Sequence, residues 1–337
     1  MIVLLERMKE MKKKLWMLMG LSLVLVALAA CSSDTAEKAG SSGSVYPNKP
    51  IQLIVPWDAG GDTDAVNRIA AEELEKVLDT TVVVKNIAGG SGVIGSQEAL
   101  SAEPDGYTIL AVHDSMAMSE LTGQAGFGFS DFEPISLITS TYNMIATNPE
   151  NPWNSMEDLV ADAKSKPGEI SYAASIGSIS ELEPALIQTG AGIKFNIVGY
   201  DGTAQRMKAI VANDVALGSV SIVAGKDYIE GDRLKFLGYT GEERSKDFPD
   251  VPTLKEQGID VVSAANRGFV APKGTPEEII KKLDEALKQV TSSENFITKL
   301  ESLGTDVNYK NTEDYKVFIK DLETDMEESL RDSELID

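Results

Sequence analysis

The chain has 337 residues, of which 42% are hydrophobic and 25% are charged, as is usual for a protein that folds around apolar cores. Its net charge of −22 repels phosphate backbones, so we expect no nucleic acid partner. A single cysteine and a single histidine exclude Cys/His zinc sites and disulfide frameworks, and we expect no metal ion and no cofactor. The length predicts about two domains.

The N-terminal segment is typical of an exported protein. Three lysines at 12–14 precede an uncharged run over 15–30, which is short for a membrane span but suits a signal peptide. The run ends at Leu-Ala-Ala-Cys31, which resembles the lipobox of bacterial lipoproteins, where the signal is cut before the cysteine and the thiol is lipidated. We therefore predict a signal peptide over 1–30 and a lipid anchor at Cys31, which attaches the mature chain to the membrane. The mature chain would then be extracytoplasmic, on the outer face of the membrane or in the periplasm. The alternative is a free cysteine at the end of a membrane helix.

Residues 31–45 are rich in serine, glycine and alanine and contain no large aliphatic side chain until Val45. Such a composition predicts a flexible tether between the anchor and a globular part that begins at Tyr46. Outside the cytoplasm no supply of ATP or NAD is expected.

The first elements of the globular part predict an anion site. An apolar strand over 51–55 leads to Gly60 and Gly61, and apolar residues at helical spacing follow. We expect Asp62 or Thr63 to cap this helix. Unpaired N–H groups of a first helical turn, next to glycines that admit a ligand, favour a carboxylate. The alternative is a plain turn with a cap.

A second strand and helix enclose a Gly-x-Gly-x-x-Gly sequence over 90–95, and Asp114 lies near the distance of a ribose-binding acid. An exported chain has no nicotinamide supply, so we favour close packing of a helix start beside the first loop. A third strand over 108–112 ends at His113 and Ser115. Alternating strands and helices predict an open, mostly parallel sheet whose ligands bind at the carboxyl ends of the strands.

The motifs and their order resemble those of substrate-binding proteins of tripartite tricarboxylate transporters, the Bug receptors. The family opens with Tyr-Pro-x-Lys-Pro, a Gly-Gly loop, an Asn-x-x-Gly-x-Gly-Gly segment and Pro-Asp-Gly-Tyr-Thr, and further loops follow. The matching segments of this chain are residues 46–50, 56–64, 86–92, 104–108, 172–178, 198–202, 248–254 and 271–276. Each motif is weak by itself, but eight in order are specific.

The resemblance implies an α/β, two-lobed periplasmic-binding-protein fold of type II, the Venus flytrap, in which each lobe is a mixed, mostly parallel sheet flanked by helices. Lobe 1 would comprise 46–142 and 269–337, and lobe 2 would comprise 143–268. The protein would bind a small di- or tricarboxylate in the cleft and deliver it to the multi-span membrane subunits of a transporter.

The resemblance also implies the site residues. The first lobe's loop would hold one carboxylate, and the serine- and glycine-rich loops of the second lobe would close on the other end. The residues carried over are Ala59, Gly60, Gly61, Asp62, Thr63 and Asp64 in the first lobe, and Ser175, Gly177, Ser178, Gly202 and Thr203 in the second. Asp64 is interpreted as an acid that orders the loop or as a solvated cap residue, and not as a direct ligand of an anion.

Three further candidates come from strand ends. His113 could donate to the ligand as the one group there that titrates near neutral pH, or could be a hydrogen-bonded loop residue. Ser115 lies beside it. Arg267, where relatives often have tryptophan, is either a bidentate carboxylate clamp or part of an ion pair. Residues 215–220 lack the carboxylates that many relatives have in the cleft, which disfavours amino-acid ligands.

Two other functions stay open at this point. A lipoprotein of the same fold could sense a ligand and signal to a membrane partner. An exported hydrolase would need a nucleophile for the single histidine, and the chain contains no Gly-x-Ser-x-Gly sequence. We therefore predict a binding protein and not an enzyme.

Overall fold

The computed structural model describes residues 46–200, 203–333 and 335–336. The predicted signal peptide over 1–30, the tether over 31–45 with Cys31, and the ligand contact from Gly202 lie outside these residues and stay predictions. Among the helices of the described ranges, none is both long enough and apolar enough to cross a membrane.

The described residues form ten strands and ten α-helices. The strands are β1 (Ile51–Val55), β2 (Val82–Asn86), β3 (Thr108–His113), β4 (Phe132–Thr147), β5 (Ser171–Ala174), β6 (Asn196–Gly199), β7 (Leu217–Ser221), β8 (Lys235–Tyr239), β9 (Ala264–Pro272) and β10 (Asp306–Lys310). The helices are α1 (Asp62–Leu78), α2 (Val93–Leu100), α3 (Ser115–Leu121), α4 (Met156–Ser165), α5 (Ile179–Ala191), α6 (Thr203–Val211), α7 (Ile222–Glu230), α8 (Glu277–Thr291), α9 (Glu294–Glu301) and α10 (Thr312–Asp332).

The long strand β4 takes part in two sheets. In the first sheet β2, β1 and β3 are parallel, β9 lies antiparallel between β3 and β4, and β10 pairs antiparallel with β4. In the second sheet residues 143–147 of β4 pair antiparallel with β7 and β8, while β7, β5 and β6 are parallel. The predicted α/β architecture of mixed sheets with flanking helices is confirmed. The residue boundaries of the two lobes stay a prediction.

Strand β1 shows why helices cover both faces of the first sheet. Successive side chains of a strand point to opposite faces, and four of the five residues of β1 are buried. Leu53 and Val55 pack in one apolar cluster with α1 and α8, whereas Ile54 packs in another with α3 and α10. A continuous apolar run therefore forms a strand buried on both faces, and it places the start of α1 at the carboxyl edge of the sheet.

Candidate functional site

The loops singled out by the sequence meet at the carboxyl ends of parallel strands. The turns after β1, β2 and β3 share one edge of the first sheet, and the turns after β5 and β6 share an edge of the second. Two hydrogen bonds join the two sets of loops. Ser91 Oγ donates to the Ile176 carbonyl at 3.2 Å, and the Ile179 N–H donates to Ser115 Oγ at 3.2 Å. Ser115 therefore connects the two groups of loops.

Helix α1 begins at Asp62 with Gly61 as its N-cap residue, so the predicted cap at Asp62 or Thr63 is wrong. No side chain caps this end, and within the described part of the chain the N–H groups of Asp62, Thr63 and Asp64 have no acceptor. Gly60 has a φ of 84°, which glycine adopts without strain. The first turn thus presents free N–H donors and the positive end of the helix dipole.

Asp64 holds the loop before α1 from inside the helix. Its Oδ2 accepts hydrogen bonds from the Gly60 N–H and from Arg68 Nε, and its Oδ1 accepts one from Asn86 Nδ2, all at 2.8 Å. Burial raises the pKa of Asp64, but the donors Arg68, Gly60 and Asn86 outweigh it and lower this pKa below its usual value. Both carboxylate oxygens are occupied, so Asp64 orders the loop.

Arg267 is buried beside this turn, with 5% of its surface exposed. Its Nε donates to Thr63 Oγ1 at 3.2 Å, and its Nη1 donates to Thr141 Oγ1 at 2.6 Å and to the Ala265 carbonyl at 3.3 Å. No carboxylate among the described residues lies within ion-pair distance of it. A desolvated guanidinium without a counter-ion is costly for the fold, and an anionic ligand would offset that cost.

His113 lies next to Arg267, opposite it in the pairing of β3 with β9. Its ring stacks on Trp57 with centroids 3.9 Å apart, and its Nδ1 accepts a hydrogen bond from the Ser115 N–H at 3.1 Å. Burial, and then Arg267, lower the pKa of His113 well below its usual value. The expectation that this ring titrates near neutral pH is therefore wrong, because a charged imidazole would be desolvated beside a cation.

Asp114 is the group near Arg267 that titrates close to neutral pH. Its Oδ2 accepts hydrogen bonds from the N–H of Asn266 at 3.1 Å and from Asn266 Nδ2 at 2.9 Å. Burial raises the pKa of Asp114 to about 7, although Asn266 and Arg267 act in the opposite direction. The charge beside the site thus changes across the physiological range of pH.

We expect the affinity of the site for a carboxylate to fall as the pH rises through 7. Ionised Asp114 both repels an anionic ligand and competes for Arg267, so deprotonation weakens binding by about fivefold, or about 1 kcal/mol. Calorimetry between pH 6.5 and 8.5, with a ligand that is fully ionised throughout, measures this effect. Asp114→Asn should show no such dependence, and a wild-type affinity that is flat or rises with pH would contradict the assignment.

The second group of loops contributes a buried arginine that the sequence analysis missed. Arg206 on α6 is 8% exposed, and its guanidinium donates to Ser175 Oγ at 2.7 Å and to Thr203 Oγ1 at 3.2 Å. Its Nε is buried without a partner. It forms no ion pair with any residue that the structure describes. The sequence signal was its position three residues after Thr203, which places both on one face of the helix.

The predicted ligand residues of this loop use their backbone donors within the chain. The Ser175 N–H donates to Ser180 Oγ, the Gly177 N–H to Glu181 Oε2, and the Ser178 N–H to the Ser175 carbonyl. Ser175 and Thr203 instead hold Arg206 through their hydroxyls. Among the donors named here, Arg206 Nε is the one without an acceptor in the described residues.

Glu183 is a second buried polar residue that the sequence analysis did not single out. It is 1% exposed, its Oε1 accepts a hydrogen bond from Asn143 Nδ2 at 2.8 Å, and its Oε2 has no partner among the described residues. Burial raises the pKa of Glu183, although Ser219, Asn143 and Arg206 oppose this effect. The buried carboxyl group compensates part of the charge of Arg206 without pairing with it.

The Gly-x-Gly-x-x-Gly segment packs closely against the first loop. A Cβ atom at Gly95 would lie 2.5 Å from the Ile87 carbonyl oxygen and 2.6 Å from Pro56 Cβ, and one at Gly92 would lie 3.1 Å from the ring of Trp57. These glycines are required by the approach of α2 to the turn after β1. In the described ranges no group of three or more His, Cys, Asp or Glu residues is arranged to hold a metal ion.

Comparison with known proteins identifies the family and the fold of the chain. The family of tripartite tricarboxylate transporter receptors matches residues 66–334. BugT of Bordetella pertussis is 30% identical over 292 residues, which cover 85% of this chain and 90% of BugT. The structure of the periplasmic binding protein BugD has a TM-score of 0.78 at 30% identity, covering 86% of this chain and 99% of BugD.

A TctC solute binding protein from Polaromonas, solved with no ligand, has a TM-score of 0.70 at 28% identity and covers 85% of this chain and 99% of its own. These neighbours identify the fold as that of periplasmic binding proteins. The family match spans most of the chain and includes six of the eight motif segments, those from 86–92 onwards. The chain therefore belongs to the tripartite tricarboxylate transporter receptor family.

Proposed function

We propose that the chain is an extracytoplasmic receptor that binds a small di- or tricarboxylate between its two groups of loops. The observation that carries this proposal is a pair of buried guanidinium groups, Arg267 and Arg206, neither of which contacts a carboxylate among the described residues. Burial lowers the pKa of both, and the nearby Asp62 acts in the opposite direction on both. Glu183 near Arg206 and Asp114 near Arg267 act in the same way as Asp62, but none of the three forms an ion pair with either arginine. Two buried cations without an ion-pair partner favour a ligand with an anionic group at each end.

In this proposal the two ends of the ligand are held differently. One carboxylate accepts hydrogen bonds from the free N–H groups at the start of α1 and from Arg267, so that Gly60 and Gly61 allow it to approach the backbone. The other accepts from Arg206. Each hydrogen bond to a charged group contributes about 1.5–3 kcal/mol, so these few contacts are sufficient for tight binding.

The net charge of −22 does not oppose this proposal. At physiological salt the screening length is about 8 Å, so remote surface acids act weakly on the ligand. Donors at hydrogen-bond distance, about 3 Å, are not screened in this way. The local field of α1 and of the two arginines decides the sign of the ligand, and the surface acids favour solubility.

Capture without chemical conversion is supported by the surroundings of His113. Its Nδ1 accepts a hydrogen bond from a main-chain N–H, so no carboxylate orients the ring as a general base. Burial and Arg267 also disfavour protonation of this ring. A group that neither gains a proton nor is oriented by an acid is a poor acid or base catalyst.

We further propose that the predicted lobes, 46–142 with 269–337 and 143–268, close on the ligand and present it to multi-span membrane subunits of a transporter. Family membership supports this partner, and the contact between Ser91 and Ile176 is of the kind that closure would form. The anchor at Cys31 would keep the receptor at the membrane surface, because two acyl chains give stable attachment.

The test of the binding function is a thermal-shift screen of residues 32–337 with di- and tricarboxylates, followed by calorimetry. A ligand at 100 times its Kd adds about 2.7 kcal/mol of stability, which a melting curve detects. A monocarboxylate of equal chain length serves as the matched control and should bind more weakly, because it leaves one arginine unpaired. Absence of binding by every di- and tricarboxylate, or recovery of a chemically altered ligand, would refute the proposal.

We expect Cys31→Ala to abolish lipidation and to release the protein from the membrane. The reason is that the thiol is the predicted acceptor of the diacylglyceryl group at the end of the signal peptide. Incorporation of labelled palmitate and partitioning between membrane and soluble fractions measure the effect, with Ser32→Ala as the control. Unchanged partitioning of Cys31→Ala would show that the lipobox prediction is wrong.

A further inference from the structure

A narrow pocket borders the proposed carboxylate site at the edge of the first sheet. The stacked rings of Trp57 and His113 line it, together with residues 91–93, α3 and the segment after α3. It measures about 270 Å³ including its open mouth, and its interior has room for about one water-sized group. His113 lies directly opposite Arg267 on the neighbouring strand, a position at which Cβ atoms are about 5 Å apart. The pocket therefore adjoins the place proposed for one carboxylate of the ligand.

The lining of this pocket is mostly apolar, with a few polar groups. Its apolar members are Trp57, Val93, Val112, Met116, Ala125 and Phe127. Its polar groups are the hydroxyls of Ser91, Ser96 and Ser119 and the ring of His113. The Ser91 hydroxyl donates to the Ile176 carbonyl, whereas those of Ser96 and Ser119 have no hydrogen-bond partner among the described residues. No carboxylate lines the pocket, so it offers no partner for an ammonium group.

Ser119 on α3 is the polar group that most clearly lacks a partner. It is 2% exposed, and its Oγ is buried without a hydrogen bond to any described residue. A serine or threonine in a helix can donate to the carbonyl four residues earlier, as Thr122 does to the Met118 carbonyl at 2.7 Å. Ser119 does not use this local acceptor. A buried hydroxyl without a partner is rare and destabilises a fold, so this one indicates that a polar group enters the pocket.

His113 adds a hydrogen-bond donor. Its Nδ1 accepts from the Ser115 N–H, so the single proton of the neutral ring is on Nε2. Burial and Arg267 keep the ring neutral by lowering its pKa well below the usual value. No described residue accepts a hydrogen bond from Nε2. The pocket thus combines this N–H donor with the Ser119 hydroxyl, which can donate or accept, and one oxygen atom of a ligand can bond to both.

We propose that this pocket is a subsite for an oxygen substituent of the ligand, which is then a 2-hydroxy or 2-oxo acid with two or three carboxylates. The proposal rests on the proposed carboxylate site and narrows its substrate class. One carboxylate lies at the start of α1 and Arg267, and the oxygen on the adjacent carbon accepts a hydrogen bond from His113 Nε2. A hydroxyl donates in turn to Ser119 Oγ, whereas an oxo group accepts from it. The small volume admits a single oxygen atom and excludes a longer branch.

The test is calorimetry of the full chain at about pH 7.5 with four- and five-carbon dicarboxylates. Succinate and glutarate are the unsubstituted acids, and malate, 2-hydroxyglutarate and 2-oxoglutarate carry the oxygen substituent. All are fully ionised at this pH, so charge does not distinguish them. We expect an oxygenated acid to bind at least about tenfold more tightly than the unsubstituted acid of equal length. Ser119→Ala should reduce this preference to about twofold, with the unsubstituted acid bound within about twofold of wild type.

Ser119→Ala should fold, because alanine favours a helix and the change removes an unpaired hydroxyl. A melting curve checks this. The matched control is Ser130→Ala, which removes the hydroxyl of an exposed residue outside the pocket and should keep the full preference.

Three outcomes would overturn the proposal. Equal affinity of wild type for oxygenated and unsubstituted acids would show that the pocket holds water only. A preference that persists in Ser119→Ala, or one that Ser130→Ala also loses, would show that it arises elsewhere. Failure of every acid to bind is distinguishable from both, since it would overturn the proposed carboxylate site and this subsite with it.

Discussion

Replacing Arg267 by methionine is expected to abolish carboxylate binding while leaving the fold intact. Methionine keeps much of the buried volume but removes a charge whose hydrogen bonds, within the described residues, go to the Thr63 and Thr141 hydroxyls and the Ala265 carbonyl. Loss of a charge-assisted contact of about 3 kcal/mol weakens binding by at least about 100-fold. Removal of a desolvated, unpaired charge offsets the lost hydrogen bonds, so the melting temperature of the ligand-free protein should change little.

The matched control for Arg267→Met is Arg233→Met, which makes the same chemical change on an exposed side chain that lies over the ring of Tyr228. Its affinity for the dicarboxylate should stay within about twofold of wild type, since remote surface charges are screened. Calorimetry with the ligand identified by the thermal-shift screen compares the two variants. If Arg267→Met bound like the wild type, Arg267 would have no direct role in binding.

Gly61→Val is expected to weaken carboxylate binding by roughly 30-fold or more, because its side chain would stand in front of the free N–H groups of the first turn of α1. The protein itself accommodates the change. Gly61 has an extended backbone, with φ −85° and ψ 170°, and a Cβ there meets nothing closer than the Asp58 carbonyl oxygen at 3.6 Å. The cost to stability is about 1 kcal/mol, the penalty of a poor N-cap residue.

A substitution at Gly61 tests anion binding better than one at Gly60. Gly60 has a positive φ of 84°, so any side chain there strains the loop. A matched control is Gly126→Val, where a Cβ enters open space. Its melting temperature and its affinity should both stay near those of the wild type. A Gly61→Val variant that binds the dicarboxylate with unchanged affinity would exclude the start of α1 as the anion site and leave Arg267 as the main partner.

Local sequence signals predicted the elements around the first loop well because strand, turn and helix are adjacent in the chain. The apolar run of β1, the two glycines and the helical spacing of α1 appear within 28 residues, from Ile51 to Leu78. The predicted N-cap residue of α1 was wrong. Gly61 is the N-cap residue of α1, and Asp64 accepts a hydrogen bond from the Gly60 N–H from within the helix. No local rule distinguishes that arrangement from a cap at Asp62 or Thr63.

The second part of the site was predicted less well because the role of a polar residue depends on its burial. Ser175 and Thr203 were expected to contact the ligand, but they hold Arg206, whose burial the sequence did not reveal. His113 was expected to titrate near neutral pH. Its burial beside Arg267 prevents this, and the adjacent Asp114 has the pKa of about 7 instead.

The sequence by itself determined the class of the protein: one cysteine and one histidine excluded Cys/His zinc sites and disulfide frameworks, and eight ordered motifs identified the receptor family. Tertiary structure decided the electrostatics of the site. Arg267 reaches Thr63 across 204 residues of chain because β9 lies between β3 and β4. Hydrophobic periodicity shows which face of an element is buried but not which element covers it. The desolvation of both arginines and of Asp114, which shifts the pKa of each, arises only from that packing.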